Sequence, residues 1–218
     1  MTIAFHPDIS TLMAWSAGTL DEPFAVVVST HMAMCEACRE TARRTDLIGG
    51  ALLKAETAEP MSDGALERLL EAADDERIDL PEPRGSDSVD PSVPQPLARY
   101  LPDGLDAVKW KFSGPGVATC ELPTGTNANG RLMLLRVGAG KRVPEHGHGG
   151  QELTLILRGA YGDRFGRFAA GDLADHDEDV EHQPIAEPGE DCICLVAVDA
   201  RLNFRSRVIR TLQPLFGF

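Results

Sequence analysis

The run His31-x3-Cys35-x2-Cys38 constrains this chain more than any other feature, because it gathers an imidazole and two thiols into one short segment. On a continuous helix the three positions fall at about 0°, about 40° and about −20° around the axis. One helical face then presents three nitrogen and sulfur donors to a single point. Those are three of the four ligands of a tetrahedral structural zinc. A redox-active Cys-x-x-Cys pair is the rival reading of the two thiols, and it calls for a βαβ pattern around them. No such pattern surrounds this motif.

The flanking sequence reads as short helices. Asp8 or Ser10 caps a first helix carrying Leu12, Met13, Trp15 and Leu20, ended near Gly18. Asp21-Glu22-Pro23 opens a second, with acids at its positive end and proline in the first turn, running through Phe24, Val27, Val28 and His31 to about Arg43. A third helix is expected over 46–55, weakened by Gly49-Gly50, and a fourth from Ser62 to about Arg77 with Leu66, Leu69 and Leu70 on one side. Narrow apolar stripes give such a unit a small core, which a bound metal would hold together.

Residues 80–97 change character. Pro81, Pro83, Pro91, Pro94 and Pro96 are set among glycine and serine, and this reads as a linker between a helical domain over 1–79 and a second domain over 98–218. Beyond it the pattern turns to short alternating strands, as in Val108 to Phe112, Arg131 to Val137, Glu152 to Leu157 and Cys192 to Val198. The expected fold class is therefore α+β in two domains: a small all-α zinc-binding unit and an all-β barrel or sandwich.

Charge is unevenly spread. Residues 1–95 hold 18 Asp and Glu against 7 Lys and Arg, whereas residues 96–218 hold 16 against 14. An acidic first half is repelled by phosphates and attracted to basic surfaces, so direct nucleic-acid binding is disfavoured. No stretch approaches the ~20 apolar residues of a membrane span, and no basic, then apolar, leader opens the chain. Five cysteines in a chain without an export signal argue against a disulfide framework, and the expected location is cytoplasmic.

The β half contains a second constellation: Gly140-x5-His146-x-His148-x3-Glu152-x6-Gly159. Residues two apart on a strand share a face, so His146 and His148 can serve one centre, and Glu152 joins them if the chain turns at Gly149-Gly150. This spacing resembles the first motif of the cupin family in full. The second motif is less complete: Gly171-Asp172 and His182 followed by Pro184 match, while the usual Pro-x-Gly before the histidine is replaced by Asp179-Val180-Glu181. The resemblance implies a cupin-like barrel with a metal on His146, His148, Glu152 and His182, with His176 competing for the fourth position. Three imidazoles and a carboxylate suit zinc, iron, manganese or nickel.

The helical site still lacks a fourth ligand. His6 remains when the other histidines are assigned, with Asp8 as the alternative. An N-terminal histidine, His-x3-Cys-x2-Cys, a Pro-rich linker and a C-terminal cupin, in this order, resemble the ChrR-type zinc anti-sigma factors across essentially the whole chain. The resemblance implies a non-enzymatic regulator whose helical domain sequesters an ECF (group IV) sigma factor, in a 1:1 pair. It further implies that the cupin domain promotes release on an oxidative signal such as singlet oxygen. Leu12, Met13, Val26 and Met32 are either ordinary core, the stronger reading for any one of them, or contacts to the sigma factor. The competing function is a dioxygenase-like cupin metalloenzyme with an accessory zinc module. Cys192 and Cys194 put both sulfurs on one side of a strand, either as buried small residues or as an oxidation-sensitive pair.

Overall fold

In the computed structural model of the chain, residues 2–75, 90, 93–125, 128–200 and 203–204 are described. An extended N-terminal segment leads into α1 (Ile9–Ser16), which stops where Gly18 takes a left-handed φ of 69°. Next comes α2 (Glu22–Met34), with Glu22 and Pro23 in its first turn. Glu22 also accepts hydrogen bonds from the Gly125 backbone N–H and the Tyr100 hydroxyl, tying the helix start to later chain.

The expected single helix through the zinc motif is interrupted. Cys35 is extended, with φ −114° and ψ 110°, and it both ends α2 and starts α3 (Glu36–Ala55). The reason is reach. On one continuous helix His31 and Cys38 would stand about 10.5 Å apart along the axis, too far for both to touch one ion. The break folds them together. Gly49 and Gly50 lie inside α3, which absorbs the separate third helix expected over 46–55. α4 spans Ala65–Asp75, and α5 is a single turn at Gln95–Ala98.

Most of the expected linker lies outside the described residues. Of the part described, Val93 and Leu97 are buried and join the same core as α2.

Among the described residues twelve strands follow: β1 (Lys111–Gly114), β2 (Val117–Leu122), β3 (Arg131–Val137), β4 (His146–Gly147), β5 (Glu152–Arg158), β6 (Ala160–Asp163), β7 (Gly166–Ala169), β8 (Leu173–His176), β9 (Glu181–His182), β10 (Ile185–Ala186), β11 (Cys192–Val198) and β12 (Asn203–Phe204). They form a six-stranded sheet in the order β1-β2-β3-β11-β5-β8 and two three-stranded sheets, β10-β6-β7 and β12-β4-β9. The described strands therefore do not close into one continuous hydrogen-bonded ring.

Strand alternation divides the core in two. Leu132, Leu134, Leu153, Leu155, Ile193 and Leu195 point from one face of the large sheet toward α2. Met133, Ile156, Cys192, Cys194, Val196 and Val198 point from the other face into the interior of the β region. A strand covered on both faces becomes apolar throughout, which is why β11 reads Cys-Ile-Cys-Leu-Val-Ala-Val. α2 is likewise covered on nearly all sides, with Val27 and Val28 fully buried. Burying each such side chain contributes about 1.5–3 kcal/mol. No helix among the described residues is long and apolar enough to cross a membrane.

α3 and α4 behave differently. Leu47, Ile48, Leu52 and Leu53 on α3, and Leu66, Leu69 and Leu70 on α4, are all exposed. Of the four residues weighed as core or contact, Leu12, Val26 and Met32 are buried core and only Met13 is exposed.

Candidate metal centres

His31 sits in the last turn of α2, Cys35 at the break, Cys38 in the first turn of α3, and His6 on the N-terminal segment. One ligand atom of each lies within 4.8 Å of the others. The Nε2 of His31 is 3.2 Å from Cys38 Sγ, and His6 Nδ1 is 3.4 Å from Cys35 Sγ and 3.3 Å from Cys38 Sγ. A tetrahedral zinc with ordinary bond lengths holds its nitrogen and sulfur ligands about 3.5 Å apart, so the donors fit that ion. Asp8, the alternative fourth ligand, is not among the converging donors.

His31 donates its Nδ1–H to the carbonyl of Gly171 at 2.9 Å, which leaves Nε2 with its lone pair toward the thiols. The carbonyl belongs to the turn before β8, so the β region orients a ligand of the helical cluster. Gly171 takes a φ of 93°, and a Cβ there would press to 2.9 Å on Ile3, so this approach needs glycine. Asp172 beside it accepts backbone N–H bonds from Ala4 at 2.7 Å and Phe5 at 3.1 Å. The Phe5 ring lies 4.1 Å from that of Phe168, and the Phe5 carbonyl accepts the Leu173 N–H. The segment carrying His6 is thus laid along the β region.

Burial pushes the imidazole of His31 down to about 4, so it is neutral at physiological pH. Burial and the neighbouring Cys35 push the Cys38 thiol up to about 12. A metal ion must supply the charge that turns such a thiol into a thiolate ligand.

The second cluster forms inside the β region. His146 on β4, His148 just after it, Glu152 at the start of β5 and His182 on β9 all converge, and all four are buried. The Nε2 atoms of His146 and His182 are 3.1 Å apart, and His148 Nδ1 is 3.3 Å from Glu152 Oε2. His146 donates its Nδ1–H to the Pro144 carbonyl at 2.8 Å, and His182 donates its own to Asp163 Oδ2 at 2.9 Å. Both rings therefore offer Nε2 as an acceptor to a common point, the arrangement of a metal ligand with a supporting acceptor behind it. Burial takes His146 down to about 4. Burial alone would raise the Glu152 carboxyl, but the hydrogen bond from His148 and the surrounding imidazoles bring it to about 2. Three imidazoles beside an ionised carboxylate make a donor set that fits a divalent cation.

His176, the competitor, stands in an adjoining group with Asp163 and His182. It pairs with Glu152 across β5 and β8, and its buried Nε2 has no hydrogen-bond partner among the described residues.

Asp163 was not foreseeable from spacing. It is 19 residues from His182 along the chain, and β6 and β9 belong to different sheets, so only tertiary packing brings the carboxylate there. Its pKa lies below the ordinary value because hydrogen bonds from His182 and the Phe165 N–H overcome the opposing effect of burial. Above the cluster opens a chamber of about 290 Å³ lined mostly by apolar side chains. Cys194 lines it, with its Sγ 3.7 Å from that of Cys192.

Comparison with known proteins gives consistent relatives. The ChrR cupin-like domain family matches residues 104–200. The anti-sigma-E factor ChrR of Cereibacter sphaeroides is 44% identical over 216 residues, covering 99% of this chain and 99% of that protein. A crystal structure of Rhodobacter sphaeroides SigE in complex with the anti-sigma ChrR aligns at a TM-score of 0.77 and 41% identity, covering 91% of this chain and all of the matched one.

Proposed function

The chain belongs to the ChrR family of anti-sigma factors, and from that premise we propose that it sequesters an ECF (group IV) sigma factor, in a 1:1 complex, through its zinc-binding helical part. It is a cytoplasmic regulator and not an enzyme. The helical unit over 1–79 binds the partner, and the cupin-like unit over 98–218 senses an oxidative signal such as singlet oxygen and promotes release. His6, His31, Cys35 and Cys38 hold zinc, and its role is structural, since two thiolates and two imidazoles are the closed tetrahedral set of structural zinc sites. His146, His148, Glu152 and His182 hold a second divalent metal, zinc first, with iron, manganese and nickel also compatible with the donors.

One observation carries this reading: the exposed apolar face of α3 and α4. Leu66, Leu69 and Leu70 repeat at helical spacing yet stand 58–61% exposed. An amphipathic helix whose apolar side meets no core of its own is suited to a groove on another protein. The acidic balance of residues 1–95 complements a basic, DNA-binding partner and speaks against direct nucleic-acid contact.

The test mixes the purified full-length chain with a group IV ECF sigma factor from the same genome, followed by size-exclusion chromatography and run-off transcription. A stable complex that silences the promoter is expected. The double variant Leu66→Asp/Leu70→Asp should lose the complex while keeping its zinc and its melting temperature, since neither leucine is in the core. Full-strength binding by that variant would move the interface elsewhere, and absence of any complex with the zinc-loaded chain would refute the sequestration reading.

A further inference from the structure

We propose that the chamber above the second metal cluster binds a medium-chain monocarboxylate, its carboxylate held by the metal and the Tyr161 hydroxyl and its alkyl tail enclosed by the apolar wall. This deepens the sensory reading of the cupin-like part and rests on the four-residue cluster holding a divalent metal that takes a fifth ligand, as nitrogen- and oxygen-ligated divalent ions do.

Three observations define the ligand. The first is size. A cavity of about 150 Å³ accommodates benzene, so a chamber of about 290 Å³ takes a molecule of about 10–12 heavy atoms. The second is the wall. Met133, Leu135, Val143, Cys194, Val196 and Val198 form its apolar wall; of the charged residues that line it outside the metal cluster, Asp199 is exposed and Arg131 pairs with Glu121. Such a wall favours an alkyl tail and penalises a second polar end, whose hydrogen bonds it could not replace. The third is the base. His146, Glu152 and His182 line one part of the chamber, and Tyr161 lines it as well. Tyr161 is only 3% exposed, and its hydroxyl has no hydrogen-bond partner among the described residues.

A buried, unpartnered hydroxyl is costly unless a ligand or water meets it. Burial, Cys194 and the nearby carboxylates hold the phenol well above its ordinary pKa, so it is a donor and seeks an acceptor. A divalent ion on three neutral imidazoles and one carboxylate retains one positive charge, which favours an anionic head over a neutral or cationic one. A single anionic oxygen head joined to a compact alkyl tail meets all three conditions. Dicarboxylates, sugars and amines each fail at least one.

The experiment uses the full-length chain with both sites loaded, metal content measured by atomic emission, and calorimetric titration with butanoate, hexanoate, octanoate and octan-1-ol. Octanoate is expected to bind saturably. Affinity should rise about fourfold per methylene along the acid series, and octan-1-ol should bind at least tenfold more weakly than octanoate. Tyr161→Phe, which keeps the ring stacked on Phe168, should weaken octanoate about tenfold with metal content unchanged. Val196→Phe, filling the chamber, should abolish binding with both metals retained. Two metal ions without octanoate binding at millimolar concentration would overturn the inference and leave the metal reading standing. Uptake of one ion, at the helical cluster alone, would overturn both. An affinity independent of chain length would overturn the apolar chamber as the tail site, and an unchanged Tyr161→Phe affinity would remove Tyr161 from the head-group site.

Discussion

Replacing Asp172 by alanine removes a nearly buried carboxylate that accepts three backbone N–H groups: those of Ala4, Phe5 and Ala169, at 2.7, 3.1 and 2.8 Å. Two of the three fasten the N-terminal segment to the β region, one residue before His6. A hydrogen bond to a charged group is worth about 1.5–3 kcal/mol, though bonds sharing one carboxylate do not add fully. Asp172→Ala should therefore destabilise the chain by about 2–4 kcal/mol, which for a chain of this size is a fall of roughly 5–15 °C in melting temperature. Freed of its anchor, His6 is less often in place, and zinc affinity at the helical cluster should fall about 10–100-fold, as when a supporting partner of a ligand is removed. The assay is chelator competition on the full-length protein well below its melting point, paired with thermal unfolding. Asp172→Asn, which keeps one acceptor, should fall between. A destabilised variant with undiminished zinc affinity would refute the argument, because His6 would then find the site without help from the β region. An unchanged melting temperature would show that these bonds are not made in solution.

Zinc uptake by the helical cluster should strengthen about tenfold per pH unit through neutrality for the proton displaced from Cys38, whose metal-free thiol sits at about 12; a pH-independent affinity would contradict this. His31 and His146 both sit at about 4, below their unfolded value. Between pH 6.5 and about 4 the unfolded chain thus binds more protons, so the metal-stripped fold should lose stability as pH falls through that window, by up to about 3 kcal/mol per histidine. Urea unfolding at pH 7, 5.5 and 4.5 measures it. Asp163→Asn should lower metal affinity at the second cluster about 10–100-fold and leave the first unchanged, read by metal content after graded chelation. Cys194 is buried, and the Cys192 thiol and burial hold its own thiol well above the ordinary pKa, so iodoacetamide at pH 8 should label it only after denaturant is added. Rapid labelling of the native chain would favour an accessible, oxidation-sensitive pair.

Three members of each donor set were legible because local spacing carries them, whereas His6 and His182 lie 25 and 30 residues from their nearest partners in the chain and spacing does not place them. His31, Cys35 and Cys38 lie close enough in sequence that a single break in the helix brings them together, and the His146-x-His148-x3-Glu152 run needs only a strand and a bend. The strands over 131–137, 152–158 and 192–198 were equally readable, since alternation and β-branched residues act within a few positions. The Asp21-Glu22-Pro23 helix start followed from the missing proline N–H and the helix dipole.

What the sequence alone determined, then, is the short-range chemistry: which donors exist, which segments are helical or extended, and where charge accumulates. Tertiary structure decided the rest, because it depends on which surfaces cover one another. It broke the helix at Cys35 so that Cys38 could reach His31. It buried Leu12, Val26 and Met32 by laying the helices on the large sheet, and left the leucines of α3 and α4 in solvent although their periodicity is just as apolar. It brought Asp163 behind His182, and Gly171 behind His31. Those contacts join residues up to 140 positions apart, and a pairing of that range leaves no periodic trace in the chain, since it is selected by the packing of whole elements.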